Sequence, residues 1–205
     1  MFSLKAYIPT LAQYLSVSPD ALYEKQRTLI RSGLLVPVAG RGPGSGVKVS
    51  PVAVSLLTMS VLSTEGLADI DPSVRRLGSA RAEKSACSLS GSIEFGQALE
   101  IILAQTSMAR RITSINVDRP SLQALVNFQS ENRKKQMYSK FGEADQSRIF
   151  QLEIKVVLPG FAVWCIASDL HDIADGHPAS AIEKRMHEMR LDPGERWFSF
   201  FRGKR

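Results

Sequence analysis

Ser18-Pro19-Asp20-Ala21-Leu22-Tyr23-Glu24-Lys25-Gln26-Arg27-Thr28-Leu29-Ile30-Arg31-Ser32-Gly33 is the stretch on which the reading of this chain turns. A hydroxyl residue, a proline and an acid in succession form a strong helix start. The Ser18 side chain can accept from an otherwise unpaired backbone N–H, Pro19 has no N–H to leave unpaired, and Asp20 faces the positive end of the helix dipole. Gly33 closes the helix, because it tolerates the left-handed conformation that follows a last turn, and apolar Leu34 and Leu35 come next. At about 100° per residue, Leu22, Gln26, Leu29, Ile30 and Gly33 fall on one side, and Asp20, Glu24, Arg27, Thr28 and Arg31 on the other. One side is made to pack and the other to stay free.

Upstream, Thr10 to Tyr14 with Leu11, Ala12 and Leu15 predicts a short first helix with Pro9 in its first turn, interrupted by Ser16-Val17-Ser18. Downstream, Leu34 to Val38 and Val47 to Val49 are β-type runs joined by Ala39-Gly40-Arg41-Gly42-Pro43-Gly44-Ser45-Gly46, a hairpin with a glycine-rich tip. Ser50-Pro51 repeats the cap-and-proline signal and opens an unusually apolar helix to about Ser63, which needs cover from interdomain packing or from a dimer seam. The order helix, turn, helix, hairpin, helix predicts a winged helix-turn-helix over residues 1–63.

Beyond it, residues 64–91 read as a helical linker, with a helix start at Asp71-Pro72 and a loop at Ser88 to Ser92. Residues 92–205 read as an α+β domain that dimerises or binds a partner. Ile93 to Thr106 is a helix with Phe95, Leu99, Ile102 and Leu103 on one face. Arg111 to Val117 and Leu122 to Phe128 are expected strands around Asp118-Arg119-Pro120, the second also compatible with helix. Phe150, Leu152, Ile154 and Val156 alternate with Gln151, Glu153 and Lys155, the period of a half-buried strand. Leu158-Pro159-Gly160 turns the chain and Phe161 to Ile166 returns as a central strand. Ser130 to Arg148, with Arg133-Lys134-Lys135, is a solvated loop or hairpin extension. Ala179 to Arg190 is a late amphipathic helix, and Asp192 to Arg205 is an aromatic and basic tail that caps a core or a subunit interface, clamps DNA or binds a partner. The fold class is α+β: an N-terminal winged helix-turn-helix followed by a small antiparallel sheet domain with packed helices.

The chain of 205 residues has a net charge of +6 and an isoelectric point near 9.5, which favours polyanionic partners. The excess is concentrated: through residue 62, Lys5, Lys25, Arg27, Arg31, Arg41 and Lys48 oppose only Asp20 and Glu24. An apolar fraction of 44% and 22% charged residues, with a mean hydropathy of -0.06, describe an ordinary globular chain. No apolar run reaches the roughly 20 residues of a membrane helix, and Met1 to Pro9 lacks the pattern of a signal peptide. The expected setting is cytoplasmic and nucleoid-associated, with no membrane. Cys87 and Cys165 lack CxxC spacing and read as buried small hydrophobes.

Catalytic patterns are not expected. His171, Asp172, Asp175 and His177 match no metal-site spacing and read as a loop. Glu94 and Glu100 lie on divergent helix faces, Ser88-Leu89-Ser90-Gly91-Ser92 is not a nucleophile elbow, and Gly46-Val47-Lys48-Val49 runs into a strand where a P-loop needs a helix. The reading is of a non-enzyme with no cofactor and no metal.

The exposed face of the second helix supplies the site instead. Arg27 and Thr28 are placed to read base edges in a major groove, Tyr23 flanks them toward a phosphate or a thymine methyl, Glu24 can accept from a cytosine amine, and Arg31 lies deeper toward a phosphate. Arg41 at the glycine tip suits the minor groove, and Ser45 and Lys48 add phosphate contacts. The runs Leu22-Tyr23-Glu24-Lys25-Gln26-Arg27, Arg31-Ser32-Gly33-Leu34-Leu35 and Gly40-Arg41-Gly42-Pro43-Gly44-Ser45-Gly46-Val47 resemble uncharacterised helix-turn-helix proteins of prophages and mobile elements in alphaproteobacteria. That resemblance covers residues 1–63 and implies a DNA-binding regulator of mobile-element genes.

The expectation is a sequence-specific double-stranded DNA-binding transcriptional regulator. As a homodimer it would reach successive major grooves about 34 to 36 Å apart. Its rivals are a DNA-architectural or packaging protein of excisionase or small-terminase type, and a protein-interaction module.

Overall fold

The structure, a computed structural model, describes residues 2–38, 46–131, 134–143 and 153–176, together with Ile182 and Lys184. They form a mixed α+β fold in which helices surround one face of an antiparallel sheet.

Helix α1, Leu4–Tyr14, begins well before Thr10. Ser3 caps it, its Oγ accepting from the Ala6 N–H at 3.2 Å, so Pro9 lies inside the helix and not in its first turn. A proline there removes one backbone bond, but buried Leu4, Tyr7, Ile8 and Leu11 hold the helix across it. Helix α2, Pro19–Arg31, starts and stops where local chemistry predicts. The Ala21 N–H donates to Ser18 Oγ at 3.1 Å, and Gly33 takes φ +74° while the N–H groups of Leu34 and Leu35 both turn back to the Leu29 carbonyl at 3.0 Å.

The expected strands Leu34 to Val38 and Val47 to Val49 do not form a ladder. Val38 and Gly46 exchange two bonds of 3.0 and 3.1 Å in a single bridge, and Ser3 and Lys48 make another, flanked by Leu4 N–H to Val47 O at 2.8 Å. Pro37 offers no donor and Val36 stands 79% exposed, so among the described residues nothing extends the pairing of Val38 with Gly46.

Helix α3, Pro51–Ser63, is capped by Ser50 and buried along both flanks. Its apolar surface is absorbed within the chain, by α2, by α4 (Ile70–Gly78) and by α5 (Phe95–Ala104), so no dimer seam is needed to cover it. Ser55 and Ser60 turn their hydroxyls onto Val52 O and Leu57 O of the same helix, a disposal that lets polar residues sit in a dry helix. Helix α5 is shorter than Ile93 to Thr106, because extended Glu94 and Gln105 bound it; α6 (Thr106–Ala109) follows as one turn.

Strands β1 (Ile112–Asp118), β2 (Gln123–Gln129), β3 (Gln136–Phe141) and β4 (Lys155–Pro159) form an antiparallel sheet of order β3-β2-β1-β4. The alternative helical reading of Leu122 to Phe128 is thus excluded. Part of the polar stretch Ser130 to Arg148 is strand β3, zipped to β2 from Gln129–Gln136 to Ala124–Phe141. The alternating stretch begun at Phe150 lies partly outside the described residues, and the pairing that is described runs from Lys155 to Pro159.

The larger correction is Phe161 to Ile166, expected as a strand and found inside α7, Gly160–Ala174. Buried Ala162, Val163, Ile166, Ala167 and Leu170 recur at helical spacing once the window is extended to Ala174. Gly160 permits the sharp entry: a Cβ there would stand 2.0 Å from the Ile112 carbonyl oxygen. Helix α7 lies on β1 and β4, whose buried side chains include Ile112, Ile115, Val117 and Leu158, and the buried core, which also takes in Ala124, Val126 and Phe128 of β2, runs without a break from Leu4 of α1 into the sheet. The expected helix Ala179 to Arg190, apart from Ile182 and Lys184, and the tail Asp192 to Arg205 lie outside the described residues.

Candidate nucleic-acid interface

The inner side of α2 buries Leu22, Gln26 and Leu29 against α1 and α3. It also buries Lys25, only 6% exposed. Its ammonium donates to the carbonyls of Ser60 at 3.0 Å and Thr64 at 2.8 Å. Arg119, from the β1–β2 turn, donates to Val61 O at 3.2 Å and Leu62 O at 3.4 Å and pairs with Glu65. Two cations therefore satisfy the last carbonyls of α3, where unpaired oxygens and the negative dipole end favour positive charge. Burial, and then the neighbouring Arg119 charge, hold the Lys25 ammonium below the usual lysine range. Lys25 belongs to the interior and must be subtracted from the basic footprint read from the sequence.

On the outer side Asp20, Ala21, Arg27 and Arg31 are exposed and Tyr23, Glu24 and Thr28 are half-buried. Arg27 Nη1 lies 2.9 Å from Glu24 Oε1, an exposed pair that costs little to exchange for a new partner. The Thr28 hydroxyl donates to the Glu24 carbonyl at 3.0 Å. Tyr23 is flanked by the ammonium of Lys5, 5.5 Å from the ring centre. Lys48 is half-buried on the bridge to Ser3. Arg41 and Ser45 lie outside the described residues.

Two features were not visible in the sequence. Arg75 of α4 reaches the end of α2, donating to Ser32 O at 3.3 Å while paired with Asp71 at 2.8 Å. With exposed Arg76 beside it, it continues the basic edge begun by Arg27 and Arg31. The Arg-Arg doublet was legible, but its approach to α2 depends on how α4 docks. The second is Asp169 of α7, fully buried and accepting from Tyr7 at 3.1 Å and Tyr14 at 3.0 Å; it ties α1 to α7. Burial, then the Asp169 charge, push the Tyr7 hydroxyl well above the usual tyrosine range.

His171 and Asp172 lie on the last turns of α7 and not in a loop, and His171 Nδ1 is 2.9 Å from Asp175 Oδ2. Among the described residues no group of three or more metal-capable side chains converges, and no helix is long and apolar enough to cross a membrane. Both cysteines are buried thiols. Comparison with protein-family models, with curated proteins and with solved structures finds no match to this chain.

Proposed function

We propose that the protein is a sequence-specific double-stranded DNA-binding regulator in which residues 1–63 act as a winged helix-turn-helix and α2 reads the major groove. The observation that carries this reading is the one-sidedness of α2: α1, α3 and α4 pack against it, while on its other side Arg27 and Arg31 stand exposed and Glu24 half-buried. A groove-reading helix needs this arrangement, a rigid back and a polar front. The bridge between Val38 and Gly46 supports the role of a wing for the glycine-rich segment, to which the sequence assigns Arg41 and Ser45, with Lys48 following it. Arg75 and Arg76 extend the phosphate-contacting edge. The proposed role of this surface is binding. Two copies would present two reading helices, and the resemblance of the first 63 residues to prophage and mobile-element proteins points to genes of that kind as targets.

Genome-wide mapping of bound DNA, repeated with Arg27→Ala and Arg41→Ala, tests the proposal. Arg27→Ala is expected to relax base preference, and Arg41→Ala to weaken binding evenly across sequences. Identical footprints for both variants and the parent would reject the residue assignment.

One observation favours a second reading. Val36 and Val38 at the foot of the loop are 79% and 42% exposed, which suits a loop that docks on protein. That reading predicts no salt-dependent affinity for duplexes.

A further inference from the structure

Three of the last four carbonyls of α3, those of Ser60, Val61 and Leu62, are met by side chains from elsewhere in the chain. Such carbonyls have no partner within a helix, and here the backbone does not supply one. Thr64 leaves α3 fully extended, at φ -155° and ψ 152°, whereas the residues that end α1 and α2 each turn an N–H back onto the last turn. Lys25 of α2 takes Ser60 O and, just beyond the helix, Thr64 O; Arg119 takes Val61 O and Leu62 O between them. The two cations interleave along one stretch of backbone. They are close enough that, after burial, the Arg119 charge is what lowers the Lys25 pKa, with Glu65, the partner of Arg119, acting the other way.

Arg119 comes from the sheet, on a turn tied down on every side. Asp118 accepts from the Ser121 N–H at 3.2 Å and from the Ser121 hydroxyl, the Leu122 N–H returns to Asp118 O at 2.8 Å, and the Arg119 N–H donates to Ile154 O at 3.0 Å. The Arg119 side chain is 17% exposed, so water does not readily replace the bonds it makes. Lys25 stands between Leu22 and Leu29 on the buried side of α2, two residues before exposed Arg27. A shift in the last turn of α3 is therefore passed to the middle of α2. Because a helix moves as a rod, the same shift displaces Arg27, and recognition tolerates only about 0.5 Å of misplacement.

We propose that Arg119 is a positioning residue for DNA reading: from the sheet it fixes the end of α3 on which Lys25 seats α2, so the pose of the reading helix is set from outside residues 1–63. The β1–β2 turn is then the place where the sheet governs recognition. The role in recognition rests on the DNA reading above, whereas the seating of α2 does not. Arg119 itself touches no DNA, which separates its part from those of Arg27, Arg31 and Arg41.

The test compares the full chain with Arg119→Met, which keeps the hydrocarbon bulk but donates nothing, and with Arg119→Lys, which keeps the charge. Without DNA, chemical-shift mapping of Arg119→Met is expected to move the amides of Arg27, Thr28 and Arg31 on the outer side of α2, with the far-ultraviolet circular dichroism unchanged. On the preferred duplex, Arg119→Met should bind about tenfold or more weaker with the salt slope of the parent, and Arg119→Lys should recover part of the loss. In an Arg27→Ala background the same change should cost less than about threefold, because the contact it aligns is already gone, whereas a general loss of folded protein would cost the same factor in both backgrounds. If Arg119→Met fails to fold, Arg119→Lys is judged on the same three criteria. Unmoved α2 amides, equal losses in both backgrounds, or a salt slope smaller by about one, which would make Arg119 a phosphate contact, would overturn the proposal. A parent chain that binds no duplex sinks the DNA reading and leaves the amide shifts to decide whether Arg119 seats α2. Unmoved amides beside a parent that does bind sink the positioning role and leave the α2 assignment intact.

Discussion

Arg27 is the residue on which base recognition is expected to depend. It stands exposed on α2, pre-positioned by Glu24 at 2.9 Å, and a bidentate guanidinium contact is worth about 1–3 kcal/mol of discrimination between bases. Arg27→Ala should therefore cost about that much on the preferred duplex and much less on unrelated ones, measured by competition anisotropy. Tyr7 answers a different question, that of stability. Its hydroxyl bonds Asp169, and removing one such bond in Tyr7→Phe should cost about 0.5–3 kcal/mol in urea unfolding at neutral pH. Because the folded-state pKa of Tyr7 is raised, the folded form holds its proton more tightly than the unfolded chain. That contribution is complete below the ordinary tyrosine value of about 10 and is lost as pH climbs above it. Melting temperatures from pH 8 to 11.5 should fall less steeply for Tyr7→Phe than for the parent at the alkaline end (~10 and above); parallel curves would contradict this.

At the scale of elements, α2 was legible because its start and stop are local: Ser18 and Gly33 act within a few residues of themselves. Ser18→Ala should remove the 3.1 Å cap and cost about 0.5–2 kcal/mol of stability. Helix α7 was misread for the opposite reason. Phe161 to Ile166 taken alone is an apolar run with no period, and only the continuation through Asp169, Leu170 and Ile173 shows the helical repeat. The start of α1 was missed because Pro9 carries a strong local signal that buried Tyr7 and Ile8 override. Lys25 was counted with the N-terminal basic excess since its partners, the Ser60 and Thr64 carbonyls, come from α3 and its end and are not legible locally. Lys25→Met should leave those carbonyls without a donor and destabilise the fold by about 1–3 kcal/mol. An unchanged urea midpoint would show that α3 does not depend on this cap.

For the whole molecule, the continuous core from α1 to the sheet makes the back of α2 part of one packed unit, so changes at the β1–β2 turn reach it through Arg119 and the end of α3. The grouping of polar side chains on one face of the sheet was invisible in the sequence for a related reason. Asn116, Gln123, Lys140 and Lys155 sit far apart along the chain and are brought together only by the register of four strands.

The central claim is that the polar side of α2 enters duplex DNA. Its most direct test is selection of bound duplexes from a randomised library at low salt, followed by affinity measurement on the enriched sequence over a salt series. The account predicts a defined motif for the parent protein, affinity that falls steeply with salt, a degenerate motif for Arg27→Ala, and a salt slope smaller by about one for Arg31→Ala. A library that emerges unenriched, or an enriched motif that Arg27→Ala retains in full, would contradict it.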